Sequence, residues 1–241
     1  MTSLWSSQPF KTAYTVGYWA INAPRLVFLS LRYVLAPLRP VPRWGYRLSL
    51  GTAFARAMFR YLAVTRFQRP QQMAPGKSKD RFVLIEPPDA ALFQGALASS
   101  QAAVAPAPAP VGAVWHPAAI TPESTGPEDK VIVYTAGGGF VMGWDPDKNA
   151  RDISALTSAH FGTTHVLCLQ YRLASPASPF PAAIQDLFTT YQFVLGLGVA
   201  PENIVVMGDS SGGNVTLGLL RYLVDQALPQ PGNHHLPSHD S

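Results

Sequence analysis

A glycine-rich turn around Ser210 constrains the fold of this 241-residue chain more than any other feature. Segment 208–214 reads GDSSGGN; it follows a short apolar run rich in β-branched residues and precedes apolar residues at helical spacing. Gly208 and Gly212 suit a tight turn, because a Cβ atom at either position would crowd the neighbouring backbone. The pattern predicts a strand, a sharp turn and a helix, with the Ser210 hydroxyl held outward at the strand end. An ordinary strand-to-helix turn is the alternative.

A second glycine-rich segment strengthens the chemical interpretation of this turn. Residues 130–134 read KVIVY, which predicts a buried strand, and Gly137, Gly138 and Gly139 come shortly after it. Consecutive glycines leave backbone N–H groups unobstructed, and such groups stabilise the oxyanion that develops during acyl transfer. The N–H of Ser211, the residue after the candidate nucleophile, belongs to the same set. A merely flexible glycine loop is the alternative.

These two segments resemble the hormone-sensitive-lipase-like branch of the α/β hydrolases, in which an HGGGF-type loop precedes a GDSAGGN-type turn. Two more landmarks, YRLA at 171–174 and PFPAA at 179–183, occur in the order of that family, so the resemblance covers residues 130–224. Ala136 stands where the family has histidine, which is expected to loosen the loop. Ser211 stands where the family has alanine, which keeps the backbone N–H.

The resemblance implies hydrolysis of a carboxylic ester of small or medium size. Ser210 would be the nucleophile, and the N–H groups of Gly138, Gly139 and Ser211 would form the oxyanion hole. No cofactor or metal is implied. Similarity to fungal-type members suggests, by analogy alone, a tailoring hydrolase of secondary metabolism.

The same resemblance requires a histidine and a carboxylate later in the chain than the nucleophile. After the predicted helix comes a polar tail, 228–241, which is expected to be disordered. Its histidines include His239, which reaches back to Ser210 only if the tail is extended. The general base and acid are therefore not identified, and the fold is expected to be incomplete at its C-terminus. An inactive fragment or a ligand-binding module that keeps the pocket is the alternative function.

The remaining histidines and the one cysteine favour structural roles. His116, His160 and His165 precede Ser210, outside the order expected for a catalytic base, and are expected to be structural or exposed. Cys168 lies in an apolar run and is expected in a buried strand rather than as a reactive thiol. A single cysteine excludes an intramolecular disulfide and mildly favours a cytoplasmic location.

The chain's charge is divided unevenly. Residues 1–79 contain twelve Lys or Arg and no Asp or Glu, whereas the remainder contains six basic and fourteen acidic residues. We expect a basic helical arm or cap over residues 1–70 and a linker over 71–79. The arm could cover the hydrolase site, lie on a membrane surface or act as a targeting signal; its apolar runs are too short and interrupted to span a bilayer. Nucleic-acid binding is not favoured, because no recognition module is present.

The overall pattern predicts an α/β-hydrolase core over residues 80–227, with an antiparallel start and a mostly parallel continuation. A sheet that ends with the strand before Ser210 would leave an open edge, at which a partner or a second copy could bind. The segment 98–110, rich in Ala and Pro, is expected to be an extended loop. Strands are expected near 81–86, 112–115, 130–134, 164–170 and 203–207, and helices near 147–159, 182–195 and 211–227.

Overall fold

The structure, a computed structural model, describes residues 7–65, 71–98 and 106–232. The chain divides into two compact units, Met1–Phe67 and Gln68–Ser241, called here the first unit and the second unit.

The described part of the first unit is a pair of packed helices, α1 (Phe10–Arg32) and α2 (Tyr46–Thr65). Aromatic rings fill the contact between them, with ring centroids 5.4–6.5 Å apart, and the hydroxyl of one ring donates to the carbonyl of Ala57 at 2.7 Å. Both helices lie inside the segment for which the sequence predicts a helical arm. Among the residues described, no helix is long and apolar enough to cross a bilayer. The rings belong to Tyr14, Tyr18, Trp19 and Tyr61.

A five-stranded mixed sheet forms the centre of the second unit. Its order is β1-β2-β4-β3-β5; β1 with β2 and β2 with β4 are antiparallel, whereas β4 with β3 and β3 with β5 are parallel. The antiparallel start and the mostly parallel continuation predicted from the sequence are thereby confirmed. The strands are β1 (Phe82–Ile85), β2 (Val111–His116), β3 (Val131–Thr135), β4 (His165–Leu169) and β5 (Ile204–Gly208).

Three helices cover the two faces of this sheet: α3 (Pro146–Phe161), α4 (Ala182–Gly196) and α5 (Ser211–Asp225). Helix α3 packs on one face, where a small cluster includes Ala150 and Cys168, and α4 and α5 pack on the other, over the larger core. Because both faces are covered, β3 and β4 are almost continuously apolar and buried. Burial raises the pKa of the Cys168 thiol to about 12, so it is an inert core residue, as the sequence predicts.

The five strands and three α-helices described in the second unit agree with the sequence-based expectations within two residues, and two flanking segments make contacts that the sequence did not predict. In the predicted linker 71–79, the Gln71 side chain donates to the Gln170 carbonyl, and the Gln72 backbone N–H donates to the Gln170 side chain. These bonds attach the segment to the residue that follows β4. In the predicted disordered tail, the Gly232 N–H donates to the Pro201 carbonyl, just before β5. Residues 233–241 and 99–105 lie outside the described parts of the chain.

Strand β5 is the open edge that the sequence predicts, since among the described strands it pairs with β3 alone. Val205, in the first half of β5, is 47% exposed. Unpaired backbone groups on such an edge can accept another strand. Association at this edge stays a prediction.

A buried ion pair fixes the connection between β4 and α4. The Asp186 carboxylate is almost completely buried and accepts from the Arg172 backbone N–H at 2.6 Å and from its guanidinium at 2.7 Å. The same guanidinium donates to Gln185 and to the Ala107 carbonyl. Burial raises the pKa of the Asp186 carboxyl, and the Arg172 charge acts against that rise. Arg172 therefore holds three segments together while it neutralises a buried charge.

We expect Arg172→Met to lower the free energy of unfolding by about 3–5 kcal/mol at pH 7, because it leaves the Asp186 carboxylate buried without a partner. The folded-state pKa of Asp186 would then lie further above its unfolded value, so the loss should shrink as the pH falls and the carboxyl takes up a proton. Urea unfolding at pH 7 and pH 5 measures both effects. Arg221→Gln, which breaks an exposed pair with Asp225, is the control and should change stability little. Equal losses for Arg172→Met at both pH values would contradict the account.

Candidate active site

The candidate site lies at the carboxyl ends of the parallel strands β3 and β5. Thr135 and Gly208, the last residues of these strands, are partners in the register. The glycine loop that leaves β3 and the turn that leaves β5 therefore begin side by side. In open α/β sheets this edge is where ligands bind.

Ser210 sits on a turn that only glycine neighbours permit. It has φ 50° and ψ −119°, a rare conformation for a side-chain-bearing residue, and it caps the N-terminus of α5. A Cβ on Gly208 would lie 2.5 Å from the Gly212 backbone, and a Cβ on Gly212 would overlap the Thr135 carbonyl oxygen. The strand, turn and helix predicted from the sequence are thus present, and Ser210 is exposed at the tip.

Asp209 joins the turn to the glycine loop. One oxygen of its carboxylate accepts the Gly137 N–H at 2.7 Å and the Tyr134 hydroxyl at 2.6 Å. Burial, together with this hydrogen bond, raises the pKa of Tyr134, so the phenol stays a donor. The sequence did not predict the role of Tyr134, for which the only signal is a tyrosine near the end of a buried strand.

The backbone N–H groups of Gly138, Gly139 and Ser211 have no acceptor among the described residues. The N–H groups next to them in the chain do form hydrogen bonds. The Gly137 N–H donates to the Asp209 carboxylate, and the Gly212 N–H donates to the Asp209 backbone carbonyl at 2.8 Å. Gly138 and Gly139 have φ values of 138° and 62°, which L side chains rarely adopt. Donors that lack an intramolecular partner are available to an anion.

The glycine loop is fastened, in contrast to the loosening expected from Ala136. The Tyr171 hydroxyl donates to the Ala136 carbonyl at 2.9 Å, and the Trp144 indole N–H donates to the Gly137 carbonyl at 2.7 Å. The Ser211 hydroxyl accepts a long bond of 3.4 Å from the Phe140 N–H. Side chains outside the loop thus take over the anchoring, which is why local inspection missed Tyr171 and Trp144.

An apolar cavity of about 300 Å³ adjoins the glycine loop and the first turn of α5. Arg172 also borders it, but its guanidinium is held by Asp186. A pocket of this size and polarity suits a small organic group with few polar atoms. Its walls include Gly139, Phe140, Phe180, Ile184, Asn214 and Val215.

Two of the described histidines lie at the opposite edge of the sheet from Ser210. His165 begins β4, and His116, the last residue of β2, is in register with the next residue, Val166. Since β4 rises about 3.3 Å per residue, both residues are about 10–13 Å along the strands from the carboxyl edge. Burial lowers the pKa of both, which keeps them neutral. The side chain of His160 and all of His239 lie outside the described residues.

Comparison with known proteins agrees with this geometry. Residues 132–237 match the α/β hydrolase fold family. An acetyl-hydrolase of Streptomyces hygroscopicus is 34% identical over 104 residues, covering 43% of this chain and 33% of that protein. The carboxylesterase/phospholipase LipF of Mycobacterium tuberculosis is 37% identical over 94 residues, covering 39% of this chain and 24% of LipF. The chain spans about a quarter to a third of the length of these curated relatives.

Among solved structures, EstE5 soaked with ethyl alcohol is 36% identical, with a TM-score of 0.41, and the match covers 50% of this chain and 38% of EstE5. The family match includes β3, the glycine loop, the Ser210 turn and α5. Through this region, the α/β-hydrolase fold predicted from the sequence is confirmed, and the chain is similar to an acetyl-hydrolase and to a carboxylesterase/phospholipase.

Proposed function

We propose that this chain is a carboxylic ester hydrolase that acts on small-molecule esters with Ser210 as its nucleophile. The observation that carries the proposal is the juxtaposition of an exposed serine, on a strained turn, with three backbone N–H groups that lack an acceptor among the described residues. Those groups belong to Gly138, Gly139 and Ser211, and they would form the oxyanion hole. The names of the relatives, acetyl-hydrolase and carboxylesterase, support the same chemistry.

In the proposed reaction, Ser210 Oγ forms a bond to the ester carbonyl carbon, and the carbonyl π electrons move to the oxygen. The three N–H groups hold that oxyanion. Its collapse breaks the bond to the alcohol oxygen, which leaves with the proton removed from Ser210. Water then attacks the acyl-serine, and the carboxylic acid departs as the serine hydroxyl is restored.

The proton of Ser210 needs an acceptor during this reaction. Neither His116 nor His165 can serve, because both lie at the far edge of the sheet. The base must therefore come from outside the described residues. Asp209 is assigned to holding the turn, because one of its carboxylate oxygens accepts both the Gly137 N–H and the Tyr134 hydroxyl.

The cavity beside the glycine loop sets the substrate class in this proposal. Its volume of about 300 Å³ and its apolar walls favour a small acyl or alcohol group over a long chain. A tailoring role in secondary metabolism is the narrower form of the proposal and rests on the sequence resemblance alone.

A fluorophosphonate probe should label the folded chain covalently at Ser210, because only an activated serine attacks the phosphorus at a useful rate. Peptide mass spectrometry locates the label. Ser210→Ala should abolish it. Ser211→Ala is the matched control and should keep it, since the backbone N–H at 211 persists. Absence of label on protein that unfolds cooperatively would refute the enzyme and favour a ligand-binding module.

Asp209→Ala should slow labelling by at least about tenfold, because it frees the Gly137 N–H and lets the donors of the oxyanion hole shift. Asp209→Asn keeps a carbonyl oxygen as acceptor, and its labelling rate should fall much less. The effect should fall on the maximal rate of inactivation rather than on the probe concentration at half-maximal rate, which separates positioning from binding.

Asp225→Asn, an exposed carboxylate change on α5, is the control for charge in this series. It should label at the rate of the unaltered chain. If Asp209→Ala also labelled at that rate, the bridge between the turn and the glycine loop would not position the donors.

A further inference from the structure

The first unit presents an apolar surface that its own helices leave uncovered. Six apolar residues of α1 lie on one side of the helix, called here the outer face, and all are exposed; Ile21 and Leu31 are about 70% exposed. The opposite side packs against α2 through Tyr18 and through Tyr33, which is buried. A contiguous apolar face of this kind marks an interaction site. The outer face consists of Val16, Ala20, Ile21, Val27, Phe28 and Leu31.

Arginines lie at the margin of the outer face. Arg25 follows Ile21 by four residues, and Arg32 follows Phe28 by four, so each lies one helical turn from an apolar member. Both are exposed. Long cationic side chains at the edge of an apolar helix face can extend toward phosphate groups while the face enters the acyl region.

Three arginines also surround one small cavity between α1 and α2. Arg25, Arg56 and Arg60 line a space of about 60 Å³, together with Asn22. The cavity lies on the α2 side of α1, opposite to the outer face, because Tyr18 also lines it. Arg56 and Arg60 are one turn apart on α2, and planar guanidinium groups bind phosphate through paired N–H donors.

No carboxylate side chain of the first unit neutralises these arginines, because residues 1–79 contain no Asp or Glu. None of the three arginines forms an ion pair with a described residue. An uncompensated positive charge beside an apolar face is complementary to an anionic lipid surface. It is a poor match to a nucleic acid, which would leave the outer face in water.

We propose that the first unit docks on the surface of a bilayer that contains anionic phospholipids. The outer face of α1 enters the boundary between headgroups and acyl chains, and Arg25 and Arg32 at its margin contact lipid phosphates. The helices lie on the bilayer, in agreement with the lack of a spanning helix among the described residues. This inference is independent of ester hydrolysis, since its readout is binding.

Flotation of the full chain with lipid vesicles tests the proposal. The chain should float with vesicles of phosphatidylcholine mixed with phosphatidylglycerol and bind vesicles of phosphatidylcholine alone much more weakly. Added salt should release it, because exposed charges are screened. Equal binding to both vesicles, or to neither, would overturn the proposal.

Paired variants separate the two parts of the surface. Arg25→Gln with Arg32→Gln should lower partitioning to the anionic vesicles by about tenfold or more. Lys148→Gln with Arg221→Gln removes two exposed charges from the second unit and should leave partitioning unchanged. If both pairs lowered partitioning equally, the binding would depend on net charge, and the contacts assigned to Arg25 and Arg32 would be wrong.

Ile21→Gln with Leu31→Gln should also weaken partitioning, whereas Leu156→Gln on α3, 57% exposed, should not. All these side chains are exposed, so the helices should persist in the variants, and circular dichroism checks this.

A lower melting temperature in the α1 variant without lipid would show that the outer face packs within the chain. A dimer of the unaltered chain that dissociates in this variant would show that a second copy covers the outer face. A rise in melting temperature on addition of inorganic phosphate, without any binding to vesicles, would show a site for a free anion. Each of these three results overturns the lipid proposal.

Discussion

The candidate site depends on the close approach of two backbone segments, the Ser210 turn and the end of β3. Gly212 lies against the Thr135 carbonyl with no room for a side chain, and Asp209 bridges to Gly137. The parallel register of β3 with β5 makes this approach possible, because it brings Thr135 beside Gly208. Without it, the glycine loop and the serine would be unrelated parts of the surface. The close approach of the glycine loop to the Ser210 turn depends on this one contact.

Much of the second unit could be predicted from the sequence because its signals are local. The apolar runs of β3 and β4, the glycines around Ser210 and the helical spacing of α5 are each readable within a short window. The order of the elements and the position of Ser210 at a strand end came from those signals. The family resemblance added the roles of the glycine loop.

The interactions that hold the site together could not be predicted in that way. Tyr134 and Asp209 are 75 residues apart, Tyr171 and Ala136 are 35 apart, and Gln71 and Gln170 are 99 apart. No local pattern links such pairs, since they meet only after the strands have aligned. The same reason explains why Ala136 does not loosen the loop. In the first unit, by contrast, the charge asymmetry was visible in the sequence, whereas the shared cavity of three arginines required the helix pair.

A crystal structure of the chain after reaction with a phosphonate ester would test the central claim most directly. The account predicts that phosphorus is bonded to Ser210 Oγ and that the phosphonyl oxygen lies about 2.7–3.1 Å from the backbone nitrogens of Gly138, Gly139 and Ser211. Asp209 should still accept the Gly137 N–H. A phosphonyl oxygen that points into solvent, with those three N–H groups unengaged, would contradict the account.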